Sequence, residues 1–435
     1  MRYMDCLDDY FGRLFTEIQL PAEIRKQAQT CPAAIKKGNS WFCVRCSSLI
    51  SRENALPNGE YYCRNCLVFG RISTKASLYF FRQQKFPAVR SLIWTGKLTT
   101  YQKRVSDALV SNLEKGDHLL VHAVTGAGKT EMIYKMVASV IDQGKAVCIA
   151  SPRVDVCIEL YKRLTSAFSC PITLLHGNSD PYKRAPLLIA TTHQLLKFYR
   201  AFDLLIIDEV DAFPFTDNNM LYHGTEKSLK KDGIKIFLTA TSTERLDRQV
   251  KKGQLKKLHL ARRFHGKPLV IPKTQWLGNL LTEMDRGRLP RKLLTMIEKQ
   301  RKTGFPLLLF FPNIEKGERL AVILQRYFTA DSIACVSSQS ENRLELIEQF
   351  RKGNLQILVS TTILERGVTF PNLDVFILLA HHHLYTKSSL IQMAGRVGRS
   401  SDRPTGELIF FHNGLTKSIK KAISEIKEMN QKGGF

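Results

Sequence analysis

The sequence from 123 to 130 reads Ala123-Val124-Thr125-Gly126-Ala127-Gly128-Lys129-Thr130, between a strand-like run at 118–124 and a helix-like run at 131–141. Small residues let backbone N–H groups close around phosphate oxygens. Lys129 can reach the β- and γ-phosphates, and the Thr130 hydroxyl can bind Mg²⁺. The start of the helix adds positive potential at the same point. The stretch therefore predicts a phosphate-binding loop, with Ala123 where glycine is common.

A parallel sheet is predicted around this loop, because continuous apolar runs alternate with helix-like runs further along the chain. The predicted strands are 146–150, 187–191, 204–210 and 234–240. Ligand-binding loops of such sheets lie at the carboxyl ends of the strands. Polar motifs follow these runs in the sequence, so we expect them to share one edge of the sheet.

A pair of acidic residues, Asp208 and Glu209, leaves the apolar run 204–207. A carboxylate at this position can hold Mg²⁺, and a second one can polarise the water that attacks a γ-phosphate. An acidic pair at a strand end is often only a solvated turn. Beside a phosphate-binding loop the pattern favours catalysis, with Asp208 on the metal and Glu209 on the water.

A second α/β unit is predicted after residue 290, with strands at 306–311, 332–337, 356–360, 375–380 and 407–411. It has no phosphate-binding loop of its own. Arg396 and Arg399 lie three apart in a predicted helix over 388–399, so we expect them on one helical face. Such guanidinium groups can bind a γ-phosphate. The alternative is a basic helix end that interacts with its own dipole.

Four cysteines form two C-x₂-C pairs separated by 16 residues: Cys43, Cys46, Cys63 and Cys66. This spacing is typical of a four-thiolate zinc site, and four sulfurs leave no position for a reactive water. The sequence therefore predicts a structural zinc ion. Redox thiols and unrelated buried cysteines are the alternatives.

The formal net charge of the 435 residues is +26, which attracts polyanions. Basic residues and aromatic residues are interleaved over 36–97, a composition that suits single-stranded nucleic acid. The alternatives are an anionic membrane surface and a merely solvated basic face. No apolar run reaches the roughly 18 residues of a membrane span. The polar, acidic start of the chain is unlike a secretory signal, so we expect a cytoplasmic location, with peripheral attachment to the membrane as an option.

Four segments are predicted. They are a helical N-terminal stretch plus a basic zinc module over 1–97, a first α/β lobe over 98–265, a linker over 266–290 and a second lobe over 291–435. The helical stretch, over 1–35, rests on apolar residues at helical spacing.

The ordered set of motifs resembles that of the superfamily 2 helicases and translocases. Gln102 matches the Q motif, 123–130 motif I and Ser151-Pro152-Arg153 motif Ia. Asp208–Asp211 matches motif II, Thr239–Thr241 motif III, Thr361–Gly367 motif V and Gln392–Arg399 motif VI. The resemblance implies an α/β fold of two tandem RecA-like lobes that bind ATP with Mg²⁺ and close on it.

The resemblance also implies roles for single residues. Hydrolysis would use Lys129, Asp208, Glu209, Gln392, Arg396 and Arg399. ATP would be bound by Gln102 together with the loop from Ala123 to Thr130. Coupling of hydrolysis to movement would use Asp211, Thr239, Thr241 and Gly367. Nucleic-acid phosphates would contact Arg153, Thr192 and Thr361.

The position of the four cysteines, ahead of the Q motif, narrows the resemblance to the ComFA-type competence ATPases. That resemblance implies a motor that drives single-stranded DNA into the cell, with a membrane uptake channel and other late competence proteins as partners. Two alternatives remain. One is a duplex-unwinding helicase of replication restart or repair, similar to the primosomal restart helicase. The other is a zinc-containing nucleic-acid-binding scaffold without motor activity.

Overall fold

A computed structural model of the chain describes residues 7–368 and 370–435. The described chain divides into two compact units. The first unit holds residues up to His122 together with Lys129–His259. The second unit holds Ala123–Gly128 and Leu260–Phe435, so residues 123–128 of the phosphate-binding loop belong to the second unit and Lys129 and Thr130 to the first.

The N-terminal part of the first unit consists of two small antiparallel sheets, ordered β1-β6-β2 and β3-β4-β5. Its elements are β1 (Leu14–Thr16), α1 (Ala22–Arg25), β2 (Gln29–Pro32), β3 (Ala34–Lys37), β4 (Ser40–Cys43), β5 (Leu49–Ile50) and β6 (Ser77–Phe80). Short 3₁₀ helices lie at Leu7–Tyr10, Glu17–Gln19 and Arg64–Phe69.

The predicted long helix over 1–35 is wrong for the described residues 7–35, which contain only one four-residue α-helix. Gly12 has a φ of +74°, a left-handed conformation that ends any helix there. Of the apolar residues that suggested a helix, Leu14 and Phe15 instead lie in β1, where Phe15 pairs with Tyr79 of β6. The predicted helix depended on the spacing of these apolar residues, but the backbone between them forms turns and a strand instead.

The first lobe follows in the same unit and is built on a seven-stranded sheet ordered β13-β7-β12-β11-β8-β10-β9. Its strands are β7 (Leu119–Ala123), β8 (Val147–Ser151), β9 (Ile172–Leu175), β10 (Leu187–Thr191), β11 (Phe202–Ile207), β12 (Leu229–Thr239) and β13 (Lys256–Leu260). Its helices are α2 (Thr100–Glu114), α3 (Lys129–Ile141), α4 (Val154–Ala167), α5 (Asn219–Ser228), α6 (Glu244–Lys251) and a 3₁₀ helix at Thr192–Lys197. Neighbouring strands in the part of the sheet ordered β7-β12-β11-β8-β10-β9 all pair in parallel.

The second lobe has a six-stranded parallel sheet ordered β14-β19-β18-β15-β17-β16. Its strands are β14 (Lys273–Trp276), β15 (Leu307–Phe310), β16 (Ile333–Val336), β17 (Ile357–Ser360), β18 (Asp374–Ile377) and β19 (Leu408–His412). Its helices are α7 (Leu280–Asp285), α8 (Arg291–Arg301), α9 (Ile314–Tyr327), α10 (Arg343–Arg351), α11 (Lys387–Ala394), α12 (Lys417–Lys432) and a 3₁₀ helix at Thr362–Leu364.

The predicted parallel sheets and their central strands are confirmed, since every continuous apolar run named above forms a strand. Most of these strands are buried on both faces, whereas the edge strand β16 is only partly buried. The predicted linker over 266–290 is more structured than expected. Within it, β14 extends the second sheet by pairing with β19, and Thr274 lies opposite Phe410. Polar, exposed edge strands of this kind lack the apolar signal on which the prediction relied.

The polar motifs lie where the parallel topology places them, at the carboxyl ends of β8, β10, β11 and β12. Within the described part of the chain, no helix has the length and apolar character needed to cross a membrane.

Candidate active site and metal centre

The phosphate-binding loop connects β7 to α3. Gly126 and Gly128 have φ angles of +76° and +71°, which residues with a Cβ rarely adopt. The Ala127 N–H donates to the Val124 carbonyl at 3.2 Å and closes the turn. This local geometry is why the sequence needs glycine at these two positions, and it leaves a compact turn at the N-terminus of a helix, where phosphate binds readily.

Two residues of the predicted nucleotide site begin α3. Lys129 is its first residue, and the next residue, Thr130, is almost completely buried. The Thr130 hydroxyl accepts a hydrogen bond from Arg163 Nη1 at 3.3 Å, and Arg163 also lies 3.5 Å from Glu131. A magnesium ion would bind the Thr130 oxygen that Arg163 contacts here.

Motif II follows β11, as predicted. The Asp208 N–H donates to the Ala150 carbonyl at 2.8 Å, which fixes the strand end against β8. Glu209 has a φ of +54°, and its N–H donates to Asp208 Oδ1 at 2.9 Å. A non-glycine residue in this left-handed region is strained, and such strain is concentrated at functional sites. The separate metal and water roles of Asp208 and Glu209 stay predictions.

Motifs II and III are joined by hydrogen bonds in the first unit. The Thr239 hydroxyl donates to Asp211 Oδ1 at 2.8 Å, and the Thr241 hydroxyl donates to Asp211 Oδ2. All three side chains are buried, so the bonds are protected from exchange with water. Three of the four residues predicted to couple hydrolysis to movement therefore form one hydrogen-bonded network, and Gly367 is not part of it.

Gln102, predicted to contact adenine, helps to begin α2. Its Oε1 accepts from the Thr99 N–H at 2.9 Å, while the Thr99 hydroxyl accepts from the Gln102 N–H. This reciprocal pair is a capping box, and it stabilises the first turn of the helix. The contact holds the side chain of Gln102 in one orientation, and its role toward adenine stays a prediction.

The arginines of motif VI lie beyond the end of α11, so the prediction that they share a helical face is wrong. The helix ends at Ala394, and Gly395–Gly398 form turns, with Gly398 at a φ of +66°. Arg396 is 1% exposed, whereas Arg399 is half-buried and donates from Nε to the Gly395 carbonyl at 3.0 Å. Gln392 is buried on the last turn of the helix.

Arg263 is the residue that holds this turn, and it is 3% exposed. Its Nη1 donates to the carbonyls of Val397, at 2.7 Å, and Gly398, and its Nη2 donates to that of Gly395 at 3.3 Å. His265 Nε2 lies 3.1 Å from the Gly398 carbonyl. Burial and, secondarily, nearby Arg399 lower the pKa of Arg263 to about 9. The carbonyls therefore gain a cationic donor that the fold keeps in place despite the penalty of burying its charge.

The same segment contacts residues 123–128 of the phosphate-binding loop, which pack in the same unit. The Phe264 N–H donates to the Gly126 carbonyl, and the Val124 N–H donates to the Leu260 carbonyl, both at 3.0 Å. A Cβ on Gly395 would lie 2.1 Å from Thr125 Oγ1, so glycine is required at that approach. Residues 260–265 thus bind both the phosphate-binding loop and the turn that carries the arginines.

The predicted nucleic-acid contacts have different surroundings. Arg153 forms an ion pair with Asp155 at 3.2 Å, while Thr192 and Thr361 are both buried. In motif V, Gly367 has a φ of +81°, and the preceding Arg366 donates to Ser388 Oγ at 3.0 Å. The roles of these residues toward nucleic acid and in coupling stay predictions.

The four cysteines converge in the N-terminal part of the first unit. Their sulfurs lie within 4.8 Å of one another and all are buried. Cys43 and Cys66 are separated by 3.7 Å, and Cys46 and Cys63 by 3.5 Å. A tetrahedron with zinc–sulfur bonds of about 2.3 Å has edges of about 3.8 Å. The donor set and its spacing therefore fit zinc.

A buried arginine lies beside these sulfurs, inside the first C-x₂-C pair. Arg45 is 1% exposed, and its Nη1 donates to the Phe69 carbonyl at 2.6 Å. Burial lowers the pKa of Arg45, and the four thiols, Cys66 most strongly, raise it. A cation here partly compensates the negative charge that four thiolates bring to a metal.

Sequence reasoning missed Arg45, Arg263 and Phe213. The first lies between two predicted ligands, and the second belongs to an arginine pair, Arg262 and Arg263, at the end of the predicted first lobe. The third is an aromatic residue two positions after motif II. In each case residue type alone could have drawn attention to the position, but only the fold shows whether the side chain is buried or exposed.

Comparison with protein-family models identifies both lobes. Residues 99–248 match the model described as DEAD/DEAH box helicase, and residues 288–401 match the model described as helicase conserved C-terminal domain. The second match ends after the arginines of motif VI, so the two matches together include every helicase motif named above.

Two curated relatives match nearly the whole chain. The competence protein ComFA of Streptococcus pneumoniae is 59% identical over 427 residues, covering 98% of this chain and 99% of that protein. The competence protein ComFA of Bacillus subtilis is 39% identical, covering 89% of this chain and 85% of that protein. Among solved structures, the helicase Lhr of Mycobacterium smegmatis, bound to single-stranded DNA and AMP-PNP, has a TM-score of 0.54 at 17% identity. That alignment covers 78% of this chain and 50% of Lhr, and it supports the fold.

Proposed function

The chain belongs to the ComFA family of competence proteins, and from that premise we propose that it is a motor that moves along single-stranded DNA and draws transforming DNA into the cell. Its class is shown: it is an ATP-hydrolysing superfamily 2 helicase or translocase with a role in competence and with nucleic acid as its partner. The proposal concerns the polymer, the movement and its purpose.

The network of Asp211 with Thr239 and Thr241 carries this proposal. It ties the residue two positions after Glu209 to Thr239 and Thr241, and so provides a hydrogen-bonded connection between motif II and motif III. A scaffold that only binds nucleotide would not need this link. A motor needs hydrolysis to change its grip on the strand.

Individual roles follow from residue chemistry. Lys129 and the N–H groups of the loop bind the phosphates of ATP, and Gln102 contacts the adenine. Thr130 and Asp208 would hold Mg²⁺, which would neutralise phosphate charge. Glu209 orients the attacking water, and Arg396 and Arg399, supported by Gln392, stabilise the charge that develops on the γ-phosphate.

The remaining roles concern structure and location. Cys43, Cys46, Cys63 and Cys66 would hold a structural zinc ion, since all four positions are sulfur. Arg153, Thr192 and Thr361 contact the strand, and Gly367 completes the coupling residues. We place the protein in the cytoplasm at the inner face of the membrane, with the DNA-uptake channel and other late competence proteins as partners.

Steady-state ATP hydrolysis with single-stranded DNA, duplex DNA, RNA or no polymer tests the proposal, with Lys129→Ala as the inactive control. We expect strong stimulation by single-stranded DNA and weak stimulation by duplex. Displacement of streptavidin from a biotinylated oligonucleotide then reports movement. Hydrolysis indifferent to every polymer contradicts the motor, and efficient unwinding of a forked duplex favours the restart or repair helicase.

A further inference from the structure

An exposed aromatic ring follows motif II. Phe213 is 88% exposed, although it lies only two residues after buried Asp211. Phe215, two residues further on, is fully buried, with its ring centroid 4.5 Å from that of Tyr222. The segment is therefore anchored on both sides of Phe213, so the ring is presented to solvent by an ordered backbone.

Phe213 lines a groove whose opposite wall is the four-cysteine module. The groove has a volume of about 530 Å³ and includes Ser48, Asn65, Asn218 and Asn219. Ser48 and Asn65 adjoin the two C-x₂-C pairs, and Asn65 Nδ2 donates to Ser48 Oγ at 2.9 Å. Amide and hydroxyl groups around an aromatic face can bond base edges while the ring stacks on the base.

A second, basic groove continues from the first, since Asp217 and Asn219 line both. Its volume is about 440 Å³, and its three cations, Arg245, Arg248 and Lys252, come from α6 and the residue after it. Asp217 is its one acidic residue among the described residues that line it. This charge balance favours an anionic occupant.

One of these cations is already oriented. Arg245 Nη1 donates to Asn219 Oδ1 at 2.9 Å, and its guanidinium lies 3.6 Å from the centroid of the Tyr222 ring. Arg248 and Lys252, by contrast, are exposed and face the groove. The basic groove therefore offers one guanidinium fixed by two contacts and two exposed cations, a combination that suits phosphates along a nucleic-acid strand.

We propose that the two grooves form one binding site for single-stranded DNA, with a base stacked on Phe213 and neighbouring phosphates paired with Arg248 and Lys252. The inference rests on the proposed function for the identity of the polymer. It assigns a path on the first unit, past the zinc module, that the helicase motifs do not include. Both ends of the site adjoin the coupling network, because Phe213 follows Asp211 and α6 follows Thr241.

The test is binding of a fluorescein-labelled oligothymidylate, followed by anisotropy over a series of salt concentrations. Phe213→Ala is expected to raise the Kd about tenfold and to leave its salt dependence unchanged, because stacking releases no counterions. Phe213→Trp is expected to restore the affinity. Arg248→Gln with Lys252→Gln is expected to reduce the salt slope by about 1.4, at about 0.7 per phosphate contact.

Ile18→Ala is the matched control, since Ile18 is 79% exposed in the same unit but lies outside both grooves. Thermal unfolding confirms that each variant is folded. A Kd for Phe213→Ala within twofold of the wild-type value overturns the proposed site, and it is also the result expected if the groove docks a protein instead. Failure of the wild-type chain to bind the oligonucleotide overturns the proposed function as well, so the two failures are distinguishable.

Discussion

Replacement of Arg263 by methionine should reduce ATP hydrolysis far more than it reduces stability. Two close hydrogen bonds from the buried guanidinium, to the carbonyls of Val397 and Gly398, hold the turn that carries Arg396 and Arg399. Each bond from a charged donor contributes about 1.5–3 kcal/mol. Removal of the buried charge offsets most of their loss, because burying a cation costs several kcal/mol. We therefore expect the free energy of unfolding to change by less than about 2 kcal/mol.

The effect on the reaction has no such offset. In the proposed mechanism hydrolysis needs Arg396 and Arg399 in position, and the turn that carries them has lost its hydrogen-bond donors. If about 2–3 kcal/mol of restraint is lost in the transition state, kcat falls roughly 30- to 150-fold, at tenfold per 1.36 kcal/mol. The assay is polymer-stimulated ATP hydrolysis, with kcat and KM determined separately, beside chemical denaturation. Arg263→Lys should be intermediate, since an ammonium group keeps the charge and can still donate to one of the carbonyls.

Arg262→Met is the control. Arg262 is the adjacent arginine, and its Nε donates to the Gly433 carbonyl near the C-terminus instead of to the motif VI turn. It should lower kcat less than threefold. A wild-type kcat for Arg263→Met refutes the positioning role. A parallel collapse of activity and stability refutes it equally, because it would show that Arg263 only supports the fold.

Two further predictions concern the first unit. Burial, with Lys257 nearby, lowers the pKa of His122 to about 4, so the unfolded chain binds more protons than the folded chain between pH 6.5 and 4, and stability falls as the pH drops through that window. In His122→Gln the amide can still donate to the Ala240 carbonyl that His122 Nε2 contacts, but it does not titrate. Urea unfolding at pH 7 and pH 4.5 should therefore show a loss of stability that is about 2–3 kcal/mol smaller in the variant than in the wild type. Equal losses in the two proteins would contradict the assignment. Cys66→Ser should lower bound zinc from about one ion per chain to near zero. It should also lower the Tm, because the four cysteines pack in one core with Leu14, Leu78 and Leu196. The control Cys335→Ser should keep its zinc, and an unchanged metal content in Cys66→Ser would refute the site.

Much of the fold could be predicted because its signals are local. The alternation of apolar runs and helical runs locates the central strands of both sheets, which are buried on both faces. The phosphate-binding loop can also be recognised from the sequence, because the positive φ angles of the turn favour glycine at positions 126 and 128. The metal-binding cysteines can be recognised as C-x₂-C pairs because the spacing of two ligands is set within a single short turn.

The failures have the opposite cause. The helical spacing of the N-terminal apolar residues was read without the turn at Gly12, and β1 forms only because β6, more than sixty residues later, supplies its partner. The predicted helix of motif VI is too long because turns at glycines end it. Arg263, from a distant segment of the chain, then donates hydrogen bonds to the carbonyls of these turns. The three- or four-residue spacing of side chains along a helix gives no information about such long-range hydrogen bonds.

By itself, then, the sequence determined which chemistry this chain carries: a phosphate-binding loop, an acidic pair, two arginines and four thiols, each recognisable from residue type and short spacing. Tertiary structure alone decided how those groups are held and what surrounds them. Asp211 meets Thr239 and Thr241 across neighbouring strands, and Arg263 supports Arg396 and Arg399 from more than 130 residues away. Burial and long-range hydrogen bonding depend on which segments pack together, and no local pattern encodes the partner of a side chain.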